Sequence, residues 1–429
     1  MNLKTTDKAI FAFIEQEQER QEEQINLIAS ENYTPLAVLQ ATASVLTNKY
    51  AEGYPGKRYY AGCNLVDQVE QLAINRCKHL FGADHANVQP HAGSQANMAV
   101  YTAILKPGDT IMGMSLSAGG HLTHGHTVNF SGIYYKSIQY GVDPDTEQLN
   151  YDTIASLAEQ HKPKLIVVGA SAYSRIINFE HIAQIATNVG AYLLADIAHI
   201  AGLIATGLHP SPIPYADFVS STTHKTLRGP RGGLVMSKKE YASHIDRAIM
   251  PGTQGGPFMH SIAAKAVAFH LACQPTFKAY QQQVINNAKK MAQLFTHLGY
   301  RIVAGGTDNH LFIVDLRSKN ITGRAAEIAL EQAGITVSRS CIPFDPAKPW
   351  ITSGIRLGTP AIATRGMKEQ ETEQIVYFID EVIKYHNNQL QLQRIKQQVK
   401  KLCMQFPIYN QNALHNPLSF MRMFENSSL

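Results

Sequence analysis

The chain has 429 residues, 45% of them hydrophobic and 17% charged, and its 38 basic and 33 acidic side chains leave a net charge of +5. This length exceeds what one ordinary core holds and predicts two or three packed subdomains. The charge excess is small and is not gathered into one run, which argues against a nucleic-acid-binding protein, and no apolar run is long enough to predict a membrane helix.

Five cysteines are scattered through the chain without a CxxC pair. Their spacing predicts neither a disulfide framework nor a zinc site. The first residues, MNLKTTDKAIFAF, lack the charged start, apolar stretch and cleavage site of a signal peptide. These features together predict a reduced, cytoplasmic protein.

The first predicted element is a helix over residues 4–27 that is rich in Glu and Gln, and we expect an arm over residues 1–25 that lies across a surface. From about residue 95 to residue 237, short apolar segments bounded by Gly, Pro or Asp alternate with helical spacers such as Phe179 to Val189. The candidate strands are DTIMGMSL, KLIVVGAS, AYLLADIA, DFVSST and GGLVMS. This alternation predicts an α/β domain with a largely parallel sheet. The last two segments are joined too tightly for a helix, which predicts that the sheet is mixed.

Residues 261–298 are predicted to be helical. Further on, the segments YRIVAG, LFIVDL, ITVSR and GIRLGT alternate with the helical segments ITGRAAEIALEQAG and 367–404. We therefore predict a large α/β domain over residues 26–279 and a smaller α+β domain over residues 280–429. The segment from Pro407 onward shows no clear pattern and is left unassigned.

Lys225 stands in STTHKTLRGPRGG, between two predicted strands rather than on a charged helical face. Most lysines are solvated surface residues, but this position predicts a buried or half-buried amine. Burial lowers the pKa of an amine and allows it to form a Schiff base with an aldehyde.

Asp196 ends the apolar segment AYLLA, at a place where open α/β sheets hold ligand groups. A carboxylate there can pair with a pyridinium nitrogen and make the ring an electron sink. Taken alone, Asp196 is better interpreted as the N-cap of the following segment. Taken together with Lys225, the cofactor role is the better interpretation.

Two further features of the sequence predict groups that bind anions. PHAGSQAN places Gly93 and Ser94 at a predicted helix start, where free N–H groups can bind a phosphate, although a plain N-cap has the same sequence. Arg356 lies in the predicted strand SGIRLGTPA. A buried arginine needs an anionic partner, which is either a structural acid or the carboxylate of an amino-acid substrate.

Eight segments resemble those of serine hydroxymethyltransferases, in the same order and spacing. They are EGYPGKRYYAG, PHAGSQAN, GGHLTHG, GASAYSR, DIAHIAGL, THKTLRGPRGG, PGTQGGP and TSGIRLGTPA, and the resemblance runs from about Asn26 to Arg365. It implies the aspartate-aminotransferase-like fold of type I pyridoxal-phosphate transferases, an α/β fold. In that fold a large domain with a mixed, mostly parallel seven-stranded sheet carries a smaller α+β C-terminal domain.

The same resemblance implies reversible interconversion of serine plus tetrahydrofolate with glycine plus 5,10-methylenetetrahydrofolate, with pyridoxal 5′-phosphate as cofactor. It implies a homodimer or a tetramer with shared active sites. Lys225 would hold the cofactor as a Schiff base, Asp196 would meet the pyridine nitrogen, and His121 would stack on the ring. Further cofactor contacts are implied for Gly93, Ser94, Ser171, His199, His224 and Tyr50, and for Gly256 of the neighbouring subunit.

For the substrate, the resemblance implies binding by Ser30, Glu52, Tyr59, Tyr60, His199 and Arg356. The residues implied to come from the partner chain are Tyr50, Glu52, Tyr59 and Tyr60. Glu52 is the predicted proton-transfer group at the hydroxymethyl carbon, and the residues implied to take part in catalysis are Lys225, Glu52, His224, His121, Tyr50 and Tyr60. The residues implied to contact folate are Leu116, Gly120, Leu122 and Ser340.

The chain departs from the family pattern in three places. Ser338 to Ser340 replace Asn-Lys-Asn, Met250 stands where Phe is frequent, and Ala92 stands where Ser is common. The hydroxyl of Ser340 is shorter than an amide, and one lost hydrogen bond costs about 0.5–1.5 kcal/mol.

These departures leave open a folate-independent aldolase or transferase that acts on β-hydroxy or α-substituted amino acids. A non-catalytic binding protein is a third hypothesis, against which the joint presence of the cofactor residues argues. We expect no metal, because the sequence places His121, His124 and His126 in a Gly-rich loop without a nearby carboxylate.

Overall fold

The computed structural model describes residues 3–348 and 350–409. The helices in this part of the chain are α1 Leu3–Thr6, α2 Lys8–Glu23, α3 Leu36–Thr42, α4 Asn64–Phe81, α5 Gly93–Ile104, α6 Phe130–Tyr134, α7 Tyr151–His161, α8 Phe179–Val189, α9 Ala201–Ala205, α10 Ala242–Arg247, α11 Met259–Ala272, α12 Pro275–His297, α13 Gly323–Gln332, α14 Pro360–Thr364, α15 Glu369–Lys384 and α16 Gln389–Cys403. The strands are β1 Ile25–Asn26, β2 Gly53–Tyr54, β3 Lys57–Arg58, β4 His85–Asn87, β5 Thr110–Met114, β6 Lys136–Tyr140, β7 Leu165–Val168, β8 Tyr192–Asp196, β9 Phe218–Thr222, β10 Gly233–Ser237, β11 Arg301–Ile302, β12 Leu311–Asp315, β13 Ile335–Thr336, β14 Ser338–Ser340 and β15 Gly354–Gly358.

A central sheet carries seven strands in the order β4-β10-β9-β8-β7-β5-β6. Strand β10 runs antiparallel to β4 and β9, whereas the pairs β9–β8, β8–β7, β7–β5 and β5–β6 are parallel. Every residue of β7, β9 and β10 is buried, as expected for a sheet that is covered by helices on both faces. The predicted mixed, mostly parallel seven-stranded sheet is therefore confirmed.

A second sheet lies in the C-terminal part of the described chain. Its four strands follow the order β11-β12-β15-β14, and all neighbours are antiparallel. Helices α13, α15 and α16 contribute to its separate core, which also contains Ile25 and Leu27. Strand β1 reaches this core by pairing with β13, with Ile25 opposite Ile335.

Helix α12 runs across the predicted boundary between residues 279 and 280 without interruption. The division into residues 1–25, 26–279 and 280–429 stays a prediction. Within residues 3–348 and 350–409, no helix combines the length and the apolar composition needed to cross a bilayer. Of the unassigned tail, residues 410–429 lie outside the described residues.

Two helix predictions need correction at their ends. The helix predicted over residues 4–27 ends at Glu23, and the next residues form β1. The segment predicted to be helical over residues 261–298 is two helices, because Pro275 starts a new one at its first turn. The first N–H groups of a helix have no acceptor within the helix. Proline, which has no N–H, therefore loses no hydrogen bond there and is a frequent first residue of helices.

One guanidinium joins the ends of two helices. The side chain of Arg365 is fully buried, and its nitrogens donate at 2.7–3.2 Å to backbone carbonyls that lie at the end of α2 and at the end of α16. These acceptors are Gln21 at 3.2 Å, Glu22 at 2.8 Å, Gln24 at 3.0 Å, Cys403 at 2.8 Å and Phe406 at 2.7 Å. Since the last carbonyls of a helix lack partners within it, Arg365 acts as a C-cap for both helices.

Candidate active site

A cavity of about 370 Å³ lies at the carboxyl ends of the central parallel strands. Asp196 is the last residue of β8, Ser171 follows β7, and Lys225 follows β9. This is the edge at which open α/β sheets bind ligands. The predicted site residues that line the cavity are Ser30, Gly93, Ser94, His121, Ser171, Asp196, His199, His224, Lys225 and Arg356.

Lys225 lies in the connection between β9 and β10 and is only 9% exposed. Burial lowers the pKa of its amine to about 8, while the carboxylate of Asp196 opposes this shift and the guanidinium of Arg356 adds to it. An amine with this pKa is partly neutral near neutral pH, and the neutral form is the nucleophile that attacks a carbonyl carbon.

Asp196 is held by three donors. Its Oδ2 lies 3.0 Å from His124 Nε2 and 2.9 Å from Asn97 Nδ2, and its Oδ1 accepts from the N–H of Ala198 at 3.1 Å. Burial raises the pKa of Asp196, but the bond and charge of His124 outweigh it and hold the pKa below its usual range. The carboxyl is therefore ionised and suited to a cationic ring nitrogen.

The prediction that no carboxylate lies near the histidines of the Gly-rich loop is wrong. The sequence predicts no carboxylate near His121 and His124, whereas Asp196 lies within reach of both, and the three ligand atoms are within 4.8 Å of one another. The carboxylate was missed because it follows His124 by 72 residues in the chain. No local sequence pattern predicts a contact between residues that lie so far apart in the chain.

Burial favours the neutral form of three histidines that line the cavity, His121, His199 and His224. Burial lowers the pKa of His121 to about 4 and that of His224 to about 3. Burial also lowers the pKa of His199, whose Nδ1 lies 3.3 Å from Nε2 of His310 with the two rings stacked. His310 is completely buried and was not found by the sequence analysis. These rings offer stacking surfaces and hydrogen bonds rather than charge.

Arg356 lies on β15 and brings a positive charge from the four-stranded sheet. Its Nη1 donates to the carbonyl of Ser171 at 2.7 Å, and its buried Nε has no partner. Burial lowers the pKa of the guanidinium to about 10. Among the described residues no acid forms an ion pair with Arg356, so the structural-acid alternative finds no partner there. A guanidinium on a cavity wall without an acid partner can donate hydrogen bonds to the carboxylate of a ligand.

The start of helix α5 forms another wall. Its N-cap residue, Ala92, makes no side-chain capping bond, so the first N–H groups of the helix can serve a ligand anion. A Cβ atom at Gly93 would lie 2.6 Å from Cγ2 of Thr222. Glycine therefore lets the helix start approach the end of β9 closely.

A second group of predicted residues lies elsewhere, on the surface of the chain. We call Tyr50, Glu52, Tyr59 and Tyr60 the tyrosine cluster, and the three tyrosines are 56%, 73% and 47% exposed. The rings of Tyr50 and Tyr60 pack edge to face at 5.1 Å. A Cβ at Gly256 would lie 3.1 Å from Cε1 of Tyr50. None of these residues lines the cavity of their own chain.

The predicted folate residues also lie outside the cavity lining. Leu116 and Leu122 are 42% and 40% exposed, so their apolar side chains are accessible to a ligand. Gly120 is buried, and a Cβ there would lie 2.0 Å from the carbonyl oxygen of Met114. The hydroxyl of Ser340 donates to the carbonyl of Cys341 at 3.1 Å.

The donor set of the cavity fits pyridoxal phosphate. It offers one amine of lowered pKa for an aldehyde, one ionised carboxylate for a ring nitrogen and one uncapped helix start for a phosphate. Two buried polar atoms that face no protein partner, Nδ1 of His224 and Nε of Arg356, remain for ligands.

A comparison with known protein families agrees with this geometry. The model of the family described as "Serine hydroxymethyltransferase" matches residues 3–379. Enzymes of this family are one-carbon transferases that use pyridoxal phosphate as cofactor and tetrahydrofolate as a substrate. Because the match covers most of the chain, this protein belongs to the serine hydroxymethyltransferase family.

Proposed function

We propose that the chain interconverts serine plus tetrahydrofolate with glycine plus 5,10-methylenetetrahydrofolate in the cavity around Lys225. The observation that carries this proposal is the guanidinium of Arg356, which is buried, has no acid partner among the described residues and faces the same cavity as Lys225 and Asp196. An amine, a carboxylate and a free guanidinium in one cavity match an aldehyde cofactor and an amino-acid substrate.

Each group then has a defined task. When bound, pyridoxal phosphate supplies the electron sink for breaking the Cα–Cβ bond of serine. Lys225 would hold the aldehyde carbon of the cofactor through its amine, and Asp196 would hold a proton on the ring nitrogen. Arg356 grips the substrate carboxylate in two parallel hydrogen bonds, which fixes the orientation of the bonds at Cα. The first N–H groups of α5 meet the phosphate.

The phosphate role of the α5 start is tested by replacing Gly93 with alanine. The new Cβ would lie 2.6 Å from Thr222 Cγ2, and overpacking of about 1–3 kcal/mol would weaken pyridoxal-phosphate binding by about 5- to 150-fold. Fluorescence titration of the cofactor-free chain measures this affinity. The control is Gly141→Ala, where the added atom meets open space.

Adding Thr222→Ser to Gly93→Ala removes the clashing methyl group and should restore most of the affinity. An unchanged affinity in Gly93→Ala would show that the start of α5 does not hold the phosphate.

We further propose a homodimer, or a tetramer built from such dimers, in which the tyrosine cluster of one subunit completes the cavity of the other. Three supports are the exposure of large tyrosine rings, their contact with Gly256, and their absence from the cavity of their own chain. Glu52 would then transfer the proton at the serine hydroxyl across the subunit boundary. We also propose a cytoplasmic location, which the five cysteines without disulfides support.

Mixed dimers test the shared site. Subunits with Lys225→Ala and subunits with Glu52→Gln are each expected to be almost inactive, but one cavity of a hybrid dimer would hold both native residues. Random mixing should restore about a quarter of the native activity, because about half of the dimers are hybrids with one intact cavity. Mixing Lys225→Ala with Asp196→Asn is the control, since both residues belong to one cavity. If the mixture of Lys225→Ala and Glu52→Gln subunits stays as inactive as this control, the sharing is refuted.

The transfer activity itself is tested by its dependence on folate. Glycine formation from serine is expected to be fast with tetrahydrofolate and slow without it, because the one-carbon unit needs an acceptor. A coupled assay for methylenetetrahydrofolate, run beside amino-acid analysis, measures both products. Equal rates of glycine formation in both conditions would favour the folate-independent alternative instead.

A further inference from the structure

A buried lysine outside the cavity contacts the segment that leads into helix α5. Lys265 lies in α11 and is 1% exposed. Its Nζ donates to the carbonyl oxygens of Val88 at 2.6 Å, Pro90 at 3.0 Å and Gly233 at 2.8 Å. An ammonium group has three N–H donors, so these three carbonyls satisfy it completely. The contacts link the segment before α5 to the first residue of β10.

The peptide unit between Pro90 and His91 is held at both ends. Its carbonyl accepts from Lys265 and from the N–H of Gly233 at 2.9 Å, while its N–H donates to Oε1 of Gln254 at 3.0 Å. Because a peptide unit is planar and stiff, fixing its two ends fixes the direction in which the chain continues. The chain continues through Ala92 directly into Gly93 and Ser94.

The charged form of Lys265 is costly to the fold, and burial lowers the pKa of its amine to about 7. A buried ion without a counter-ion destabilises the folded state unless polar contacts compensate for it, and among the described residues no carboxylate forms an ion pair with Lys265. A Cβ on Gly232 would lie 2.4 Å from Cε of Lys265, so the ammonium is packed tightly against the strand connection. A tightly packed cation on backbone carbonyls, behind an anion site, indicates a role in shaping that site.

We propose that Lys265 is a positioning residue of the cofactor-phosphate site, which holds the start of α5 where the N–H groups of Gly93 and Ser94 meet the phosphate. The inference rests on the proposed function and adds a residue that never touches the cofactor.

The test compares two aldehydes that differ only in the phosphate. The full-length chain, freed of cofactor with a cysteine buffer, is titrated with pyridoxal 5′-phosphate and with pyridoxal, and the Lys265→Met variant is treated in the same way. We expect the variant to lose about tenfold or more in affinity for pyridoxal phosphate, because carbonyls are left unpaired and the turn shifts. Its affinity for pyridoxal should stay within about twofold of the native value, since Lys225 is untouched.

The matched control is Lys238→Met, which removes a lysine that bonds Asp217 at 2.6 Å, away from the cavity lining. It should change neither affinity. An equal loss for both aldehydes in Lys265→Met, or no loss for either, would overturn the proposal.

If Lys265→Met does not fold, Lys265→Gln is measured instead, because its amide keeps two donors for the carbonyls. A selective loss for pyridoxal phosphate again supports the role, and a non-selective result again overturns it. Failure of the proposed function looks different, because the unaltered chain would then bind neither aldehyde.

Discussion

Alanine at position 225 is expected to lower kcat by about 100- to 10,000-fold, the range seen when one positioned catalytic group is lost. The structure places the amine in the cavity, 9% exposed, with a pKa lowered by burial to about 8. Among residues 3–348 and 350–409 no other amine lines that cavity, so no described neighbour can take over the bond to the aldehyde carbon. Pyridoxal phosphate should still bind through Asp196 and the start of α5, but without a covalent link.

Borohydride reduction followed by peptide mapping measures the link directly. The native chain should carry the reduced label on the peptide that contains Lys225, and the variant should carry none. Lys136→Ala, at an exposed strand position, serves as the control and should behave as the native chain does. A label on a different lysine of the native chain would disprove the assignment.

The Arg356→Met substitution is expected to weaken substrate binding and, at the same time, to raise the stability of the ligand-free fold. Loss of a buried, hydrogen-bonded charge pair costs about 2–5 kcal/mol, so the KM for serine should rise by about 30- to several-thousand-fold. The ligand-free fold should become more stable by about 1–4 kcal/mol, because replacing a buried ion by an apolar side chain of similar volume relieves its desolvation. The lowered pKa of Arg356, about 10, has the same origin, because burial penalises the charged guanidinium. This cost to folding is fully present below about pH 10 and fades as the pH rises from there toward the ordinary pKa of an arginine.

Steady-state kinetics with serine and thermal unfolding of the cofactor-free chain measure the two effects. The control is Arg394→Met, which removes an exposed arginine on α16 and should leave both KM and Tm near the native values. A fall in Tm together with an unchanged KM would show that Arg356 is a structural residue, contrary to its place in the proposed mechanism.

Local signals made much of this architecture predictable. Asp196 and Lys225 directly follow apolar strands, and helix α8 begins at Phe179 and ends at Val189 as predicted, because Asn178 caps its start and Gly190 its end. The start of α12 also has a local signal, Pro275, although the sequence analysis extended one helix across it.

The remaining features depend on contacts between distant parts of the chain. His124 meets Asp196 across 72 positions, His199 meets His310 across 111, and Lys265 meets Val88 across 177. No pattern of neighbouring residues encodes such pairs, because the order of strands in the sheet brings them together. For the same reason, no local pattern predicted the tyrosine cluster, which was predicted only from the family resemblance. That its residues do not line the cavity of their own chain is visible only in the structure.

The guanidinium of Arg365 makes the early and late parts of the chain depend on each other. Removing the chain through Gln24, which includes helix α2, would take away the acceptors at Gln21, Glu22 and Gln24 and leave only Cys403 and Phe406. A charged group inside the protein would then lack most of its partners, so trimming one end should loosen the opposite end. Cleavage, fusion or tagging that disturbs the end of α2 or the end of α16 is therefore expected to destabilise both helix ends.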